Sequence, residues 1–177
     1  MKFGVRVHDF GRDDAKILAK KVREFRFESI HLAVKKALPG ISGNIDVKEK
    51  DIENIKDAFS GIEISVLGSY IDFTTDDDEI WQNHKIEFIA AMRISKPLSA
   101  LYVGSESSYG NISMEDKIRL FPKLIERLDD ILNEAQKYNA TVAMEPVAAH
   151  TLYCSEWTGK MLDKLGSERL KIIFDPL

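Results

Sequence analysis

Thr141-Val-Ala-Met-Glu-Pro146 and Leu170-Lys-Ile-Ile-Phe-Asp-Pro176 decide how this chain is read. Each is a short apolar run that ends in a carboxylate followed by proline. Thr141–Met144 and Leu170–Phe174 are too short for stable helices, and the proline after each acid stops regular structure, so both are strands. The second is apolar enough to be buried on both faces. Between them Ser155 opens a helix that carries Met161, Leu162 and Leu165, and Gly166 closes it. Strand, helix and strand with no two-residue hairpin make the unit of a parallel sheet.

Upstream, the same unit recurs. Phe3, Val5 and Val7 alternate in Lys2–Val7, and Ile17, Leu18, Val22 and Phe25 follow at helical spacing. Ser29–Val34 is a second strand, and Asp46, three residues before Glu49, caps a helix with Ile52, Ile55 and Phe59 on one stripe. Ile62–Leu67 is the third strand, and Thr75 caps a helix that runs from Asp76 to Ser95. Ser99–Gly104 is the fourth strand. Ser113 and Asp116 then form a capping box for the longest helix, which Pro122 should kink or break. Six strands alternate with five helices, at about 30 residues per step, which fits either a doubly wound sheet or part of an eight-stranded barrel.

The 177 residues are 44% hydrophobic and 31% charged, enough to bury a core in one domain spanning 1–177. Acidic residues outnumber basic ones, 29 to 25, which disfavours nucleic acid and anionic lipid as partners. Cys154, the single cysteine, cannot form an internal disulfide. The first residues show no apolar signal region, and no window approaches the roughly 18 apolar residues of a membrane span. A reducing, cytoplasmic setting is the expectation.

In a parallel α/β fold chemistry gathers at the carboxyl ends of the strands. Glu145 and Asp175 each end an apolar strand, 30 positions apart, one strand-helix step. Adjacent strands lie about 4.8 Å apart, so both carboxylates could reach one divalent ion, and like charges that close require an ion or a shared proton. The competing reading makes each a helix cap or the partner of a rim lysine. His150, five residues past Glu145, could orient a hydroxyl or exchange a proton; a histidine bonded to loop backbone is the equal alternative. His8 is weighed in the same way. Tyr70 and Glu106, near the ends of strands three and four, line the same mouth or are simply solvated. His31, His84 and Cys154 are read as structural, and no glycine-rich phosphate loop is present.

Met144-Glu-Pro-Val-Ala-Ala-His-Thr151 followed by Leu170-Lys-Ile-Ile-Phe-Asp-Pro-Leu177 resembles the central part of the xylose isomerase-like TIM-barrel superfamily, the sugar phosphate isomerase/epimerase group. Val66-Leu-Gly-Ser-Tyr-Ile71 and the Glu106-Ser107 pair resemble the same group. The resemblance implies a (β/α)₈ barrel of which six strands and five helices are here, without the last two strand-helix units. It implies that Glu145 and Asp175 are ligands of a divalent metal (Mn, Mg, Co or Zn), with Glu145 doubling as a base, and that His150, Glu106, His8 and Tyr70 position a sugar substrate. The implied reaction is isomerisation or epimerisation through a metal-stabilised enediolate. Two further ligands, a histidine and a second glutamate, belong to the family's strands seven and eight. Dehydration of a cyclic polyol is the second reading, and a non-catalytic barrel fragment the third. Open edges beside strands one and six suggest a homo-oligomer. The apurinic endonuclease branch of the fold is disfavoured by only four histidines and a net charge of −4.

Overall fold

Gly4, Val5 and Arg6 (β1, Gly4–Arg6) run parallel to Ser29, Ile30 and His31 of β2 (Ser29–Leu32). A side chain at position 4 would put its Cβ 2.9 Å from the Ser29 carbonyl oxygen, so only glycine permits this approach. This is a computed structural model, and it describes residues 2–175. β2 pairs in parallel with β3 (Glu63–Gly68), and the register slips between Ile30 and His31, so that His31 faces Val66. β4 (Tyr102–Glu106), β5 (Val142–Glu145) and β6 (Leu170–Ile172) complete a six-stranded sheet in chain order. The helices are α1 (Ala15–Glu24), α2 (Val34–Ala37), α3 (Glu49–Ala58), α4 (Asp78–Ser95), α5 (Met114–Tyr138) and α6 (Ser155–Leu165). This is an α/β fold, with one helix more than the sequence suggested. The addition is α2, a single turn that begins at Val34, where the second strand was expected to end, and that is too short to show a helical period.

Two compact units are distinguishable: the chain to Ser69 with Ala90–Val103, and Tyr70–Ile89 with the chain from Gly104. In the first, Leu18, Ile30, Leu32, Ile55 and Leu67 are fully buried. Asp14 caps α1 by accepting the Lys16 N–H at 2.8 Å. Ala15, Leu18, Ala19 and Val22 form the buried stripe of α1, whereas Ile17 and Phe25 are exposed, against the expected grouping. Ile17 lies about 100° around the helix from Leu18. Phe25 stacks on Phe10, with ring centroids 5.5 Å apart. The cap of α3 is Lys48 rather than Asp46, and the Asp51 carboxylate accepts its N–H at 3.0 Å.

In the second unit Asp77, not Thr75, caps α4, accepting the N–H groups of Glu79 and Ile80 at 2.9 and 3.0 Å. Ser113 caps α5 as expected, accepting the Asp116 N–H at 3.1 Å. Pro122 leaves α5 unbroken. Pro122 is exposed, as is Ile118 one turn earlier, whose carbonyl is the one that loses its helical N–H donor. Leu124, Leu128 and Ile131 of α5 are fully buried. Gly166 closes α6 in the left-handed region at φ 54°. Trp157 of α6 packs edge-on against Phe121 at 4.5 Å and lies 5.3 Å from Tyr153.

β5 and β6 are parallel, with Val142, Ala143 and Met144 facing Leu170, Lys171 and Ile172. The sixth strand is shorter than Leu170–Phe174 and is not buried on both faces: Lys171 is exposed and Phe174 is 83% exposed. An apolar run is buried on both sides only where neighbours cover it, and β6 is the last strand in the sheet.

Candidate active site

Glu145 is the last residue of β5, half-buried at the strand's carboxyl end. The Ile173 N–H donates to the Met144 carbonyl at 2.9 Å, carrying the parallel pairing one step past β6. Continued, this register sets residue 145 opposite 173, with Asp175 two residues further along and exposed. Glu145 thus ends β5, and Asp175 lies three residues past the adjacent β6, where the sequence reading had put each carboxylate directly after its strand. Among the described residues no group of three or more His, Cys, Asp or Glu is placed to hold a metal. Carboxylates of this kind are chemically suited to a hard divalent ion.

Glu106 ends β4, and the structure brings it to His150: His150 Nδ1 lies 3.4 Å from Glu106 Oε2. The contact is electrostatic, because the buried Nδ1 makes no hydrogen bond. His150 is only 8% exposed, and hydrogen bonds fasten the loop that carries it. Val147 N–H donates to the Leu152 carbonyl and His150 N–H to the Val147 carbonyl, both at 2.9 Å, which folds the loop on itself. Ser107 Oγ accepts the Leu152 N–H at 2.8 Å, and Ser108 Oγ accepts the Thr151 N–H at 3.0 Å. Lys117 Nζ, 4.7 Å over the Tyr153 ring, donates to the Ala148 carbonyl at 2.6 Å.

Tyr70 follows β3 by two residues, half-buried, and its carbonyl accepts the Tyr109 hydroxyl at 2.8 Å. Burial first, then the charges of Asp72, Glu87 and Glu106, pushes the Tyr109 phenol above its ordinary pKa. Asp72 folds the next turn by accepting both the N–H and the hydroxyl of Thr74, at 2.7 and 2.8 Å. His84 Nδ1 lies 3.1 Å from the Asp72 carbonyl oxygen, and the His84 ring meets Tyr109 edge-on at 5.6 Å. The reading of His84 as structural agrees with this packing.

His8 belongs to the first unit, in the 3₁₀ turn Val7–Phe10 after β1. Its ring lies edge-on to His31 at 6.1 Å, and its Nδ1 is buried without a hydrogen bond. Burial lowers the pKa of His8, helped by Lys36 and Arg6 and opposed by Asp9. Burial, with His8, Arg6 and Lys36, takes His31 down to about 4. Sequence reasoning missed Ser107, Ser108 and Lys117 as holders of the His150 loop. A signal for the lysine was there: Lys117, Leu120, Phe121 and Leu124 share one helical stripe, so a cation falls where apolar residues belong.

The fold recurs in solved structures. The IOLI protein with bound zinc superposes with a TM-score of 0.77 at 15% identity, over 99% of this chain and 63% of that one. D-psicose 3-epimerase from Clostridium cellulolyticum H10, solved with D-tagatose, gives 0.76 at 15% identity, over 97% and 62%. A Mycobacterium smegmatis xylose isomerase-like protein in complex with magnesium gives 0.76 at 13%, over 98% and 64%. The chain thus spans less than two thirds of the length of these relatives, and the likeness is one of fold. No curated protein matches the sequence. The family model described as xylose isomerase-like TIM barrel matches residues 19–177, and the chain belongs to that family.

Proposed function

We propose that this chain carries part of the active site of a metal-dependent isomerase or epimerase acting on a sugar or sugar derivative. The observation that supports this most is the placement of Glu145 and Asp175 after adjacent parallel strands, at the ends where barrel enzymes of this architecture do their chemistry. Both would hold a divalent ion, which supplies Lewis-acid stabilisation of negative charge on sugar oxygens. Glu145 takes the proton from the carbon between a carbonyl and a hydroxyl, leaving an enediolate, and returns it on the same face to the neighbouring carbon for isomerisation, whereas epimerisation requires a second acid on the opposite face. His150, Glu106 and Tyr70 position hydroxyls.

Titration calorimetry with Mn²⁺ and Mg²⁺ tests the ion site. Glu145→Gln and Asp175→Asn should each weaken binding by about tenfold or more. Incubation in D₂O with a panel of ketoses and inositols then tests the reaction. Deuterium at a carbon beside the carbonyl supports proton transfer, whereas loss of water from an inositol derivative would support the dehydratase alternative. Unaltered ion binding in both variants would overturn the reading.

A further inference from the structure

We infer that Glu106 alone meets ligand at the end of β4 and that His150 stands behind it as a positioning residue, the pair selecting a neutral hydroxyl over an anionic substituent. The inference rests on the isomerase reading and refines it, by assigning different tasks to two residues otherwise grouped as hydroxyl contacts.

Exposure separates the two side chains. The His150 side chain is 10% exposed and that of Glu106 31%, so a molecule arriving from solvent reaches the carboxylate before the imidazole. At 3.4 Å from Oε2, Nδ1 is close enough that a small rotation of either group makes a charge-assisted hydrogen bond. Free rotation of the loop is excluded by the Ser107, Ser108 and Lys117 hydrogen bonds, which hold the imidazole at that distance. A carboxylate is acceptor-only, so the oxygen positions that His150 leaves on Glu106 are met by a donor such as a sugar O–H.

A phosphate or carboxylate offers acceptors and negative charge, so it brings neither a donor nor relief of charge to an acceptor-only side chain. Glu106, at the end of β4 and the more exposed of the pair, is thus matched to an unsubstituted hydroxyl.

The test uses the 177-residue chain, its Glu106→Gln, His150→Ala and His150→Asn variants, and two measurements. The first is NMR of the His150 imidazole nitrogens without ligand, at fixed pH; the second is calorimetry in Mn²⁺ with D-fructose and D-tagatose against their 6-phosphates. The Glu106→Gln change should move the His150 Nδ1 resonance. Free sugars should bind about tenfold or more tighter than the phosphates, and Glu106→Gln should shrink that ratio. His150→Ala should weaken sugar binding, and His150→Asn, whose amide N–H stands near the Nδ1 position, should restore most of it; a merely structural histidine would not be rescued in this way. A His150 resonance indifferent to Glu106→Gln, or phosphates that bind as tightly as free sugars, would overturn the inference alone. Failure of every sugar to bind while the resonance still responds would overturn the isomerase reading, and the selectivity with it.

Discussion

Arg127 lays its guanidinium 4.6 Å from the centroid of the Trp81 ring while its Nη1 donates to the carbonyls of Phe73 and Thr75, at 3.2 and 2.8 Å. A buried cation on α5 thereby fixes the turn between β3 and α4, the segment that also holds Tyr70 and Asp72. Arg127→Leu should destabilise the protein by about 2–3 kcal/mol, because two carbonyls lose a charged donor. Arg127→Lys should recover little, since an ammonium neither stacks as a plane nor forks. Urea denaturation of both variants checks this, and a fully stable lysine variant would contradict it.

Ser107→Ala removes the acceptor of the buried Leu152 N–H. The expected loss is about 1–3 kcal/mol. The same change should speed amide exchange at Leu152 more than at Val142, in the strand beneath, as hydrogen–deuterium exchange would report.

Gly4→Ala places a methyl carbon 2.9 Å from a backbone oxygen of β2, an atom that cannot swing aside. Strands β1 and β2 must separate slightly, at a cost of about 1–3 kcal/mol. Gly159→Ala, where an added Cβ meets nothing within 4 Å, is the matched control. Helix propensity should make it neutral or stabilising by a few tenths to about 1 kcal/mol.

His31 gives the acid side of the stability profile a definite shape. Its folded pKa of about 4 lies below the ordinary 6.5, so the unfolded chain takes up the proton first. The full contribution is present above pH 6.5, falls as the pH drops towards 4, and is constant below. Between pH 7.5 and 5 the loss should be about 2 kcal/mol. His31→Gln should flatten that part of the curve, and a slope equal to that of the unsubstituted chain would refute the assignment.

Much of the fold was legible where local chemistry decides it. The apolar run before Glu145, the Ser113 cap and the left-handed Gly166 stand where the sequence set them. Features decided by neighbours were not legible. Phe174 is as apolar as any core residue and is exposed, since among the described residues β6 is paired on one side only. Arg127 satisfies carbonyls about 50 residues away in sequence, Phe73 and Thr75, which no local pattern announces. The meeting of Glu106 with His150 joins positions 44 residues apart in sequence, and no spacing rule links them.

The placement of the aromatic rings has an optical consequence. Both tryptophans, Trp81 beneath Arg127 and Trp157 between Phe121 and Tyr153, belong to the second compact unit. The stack beside α1, Phe10 with Phe25 and Phe27, emits too weakly to register beside them. Indole fluorescence during unfolding is therefore a one-sided reporter, whereas far-ultraviolet circular dichroism sums both units. A single shared midpoint would mean that the two units melt as one, and divergent midpoints that they come apart in sequence.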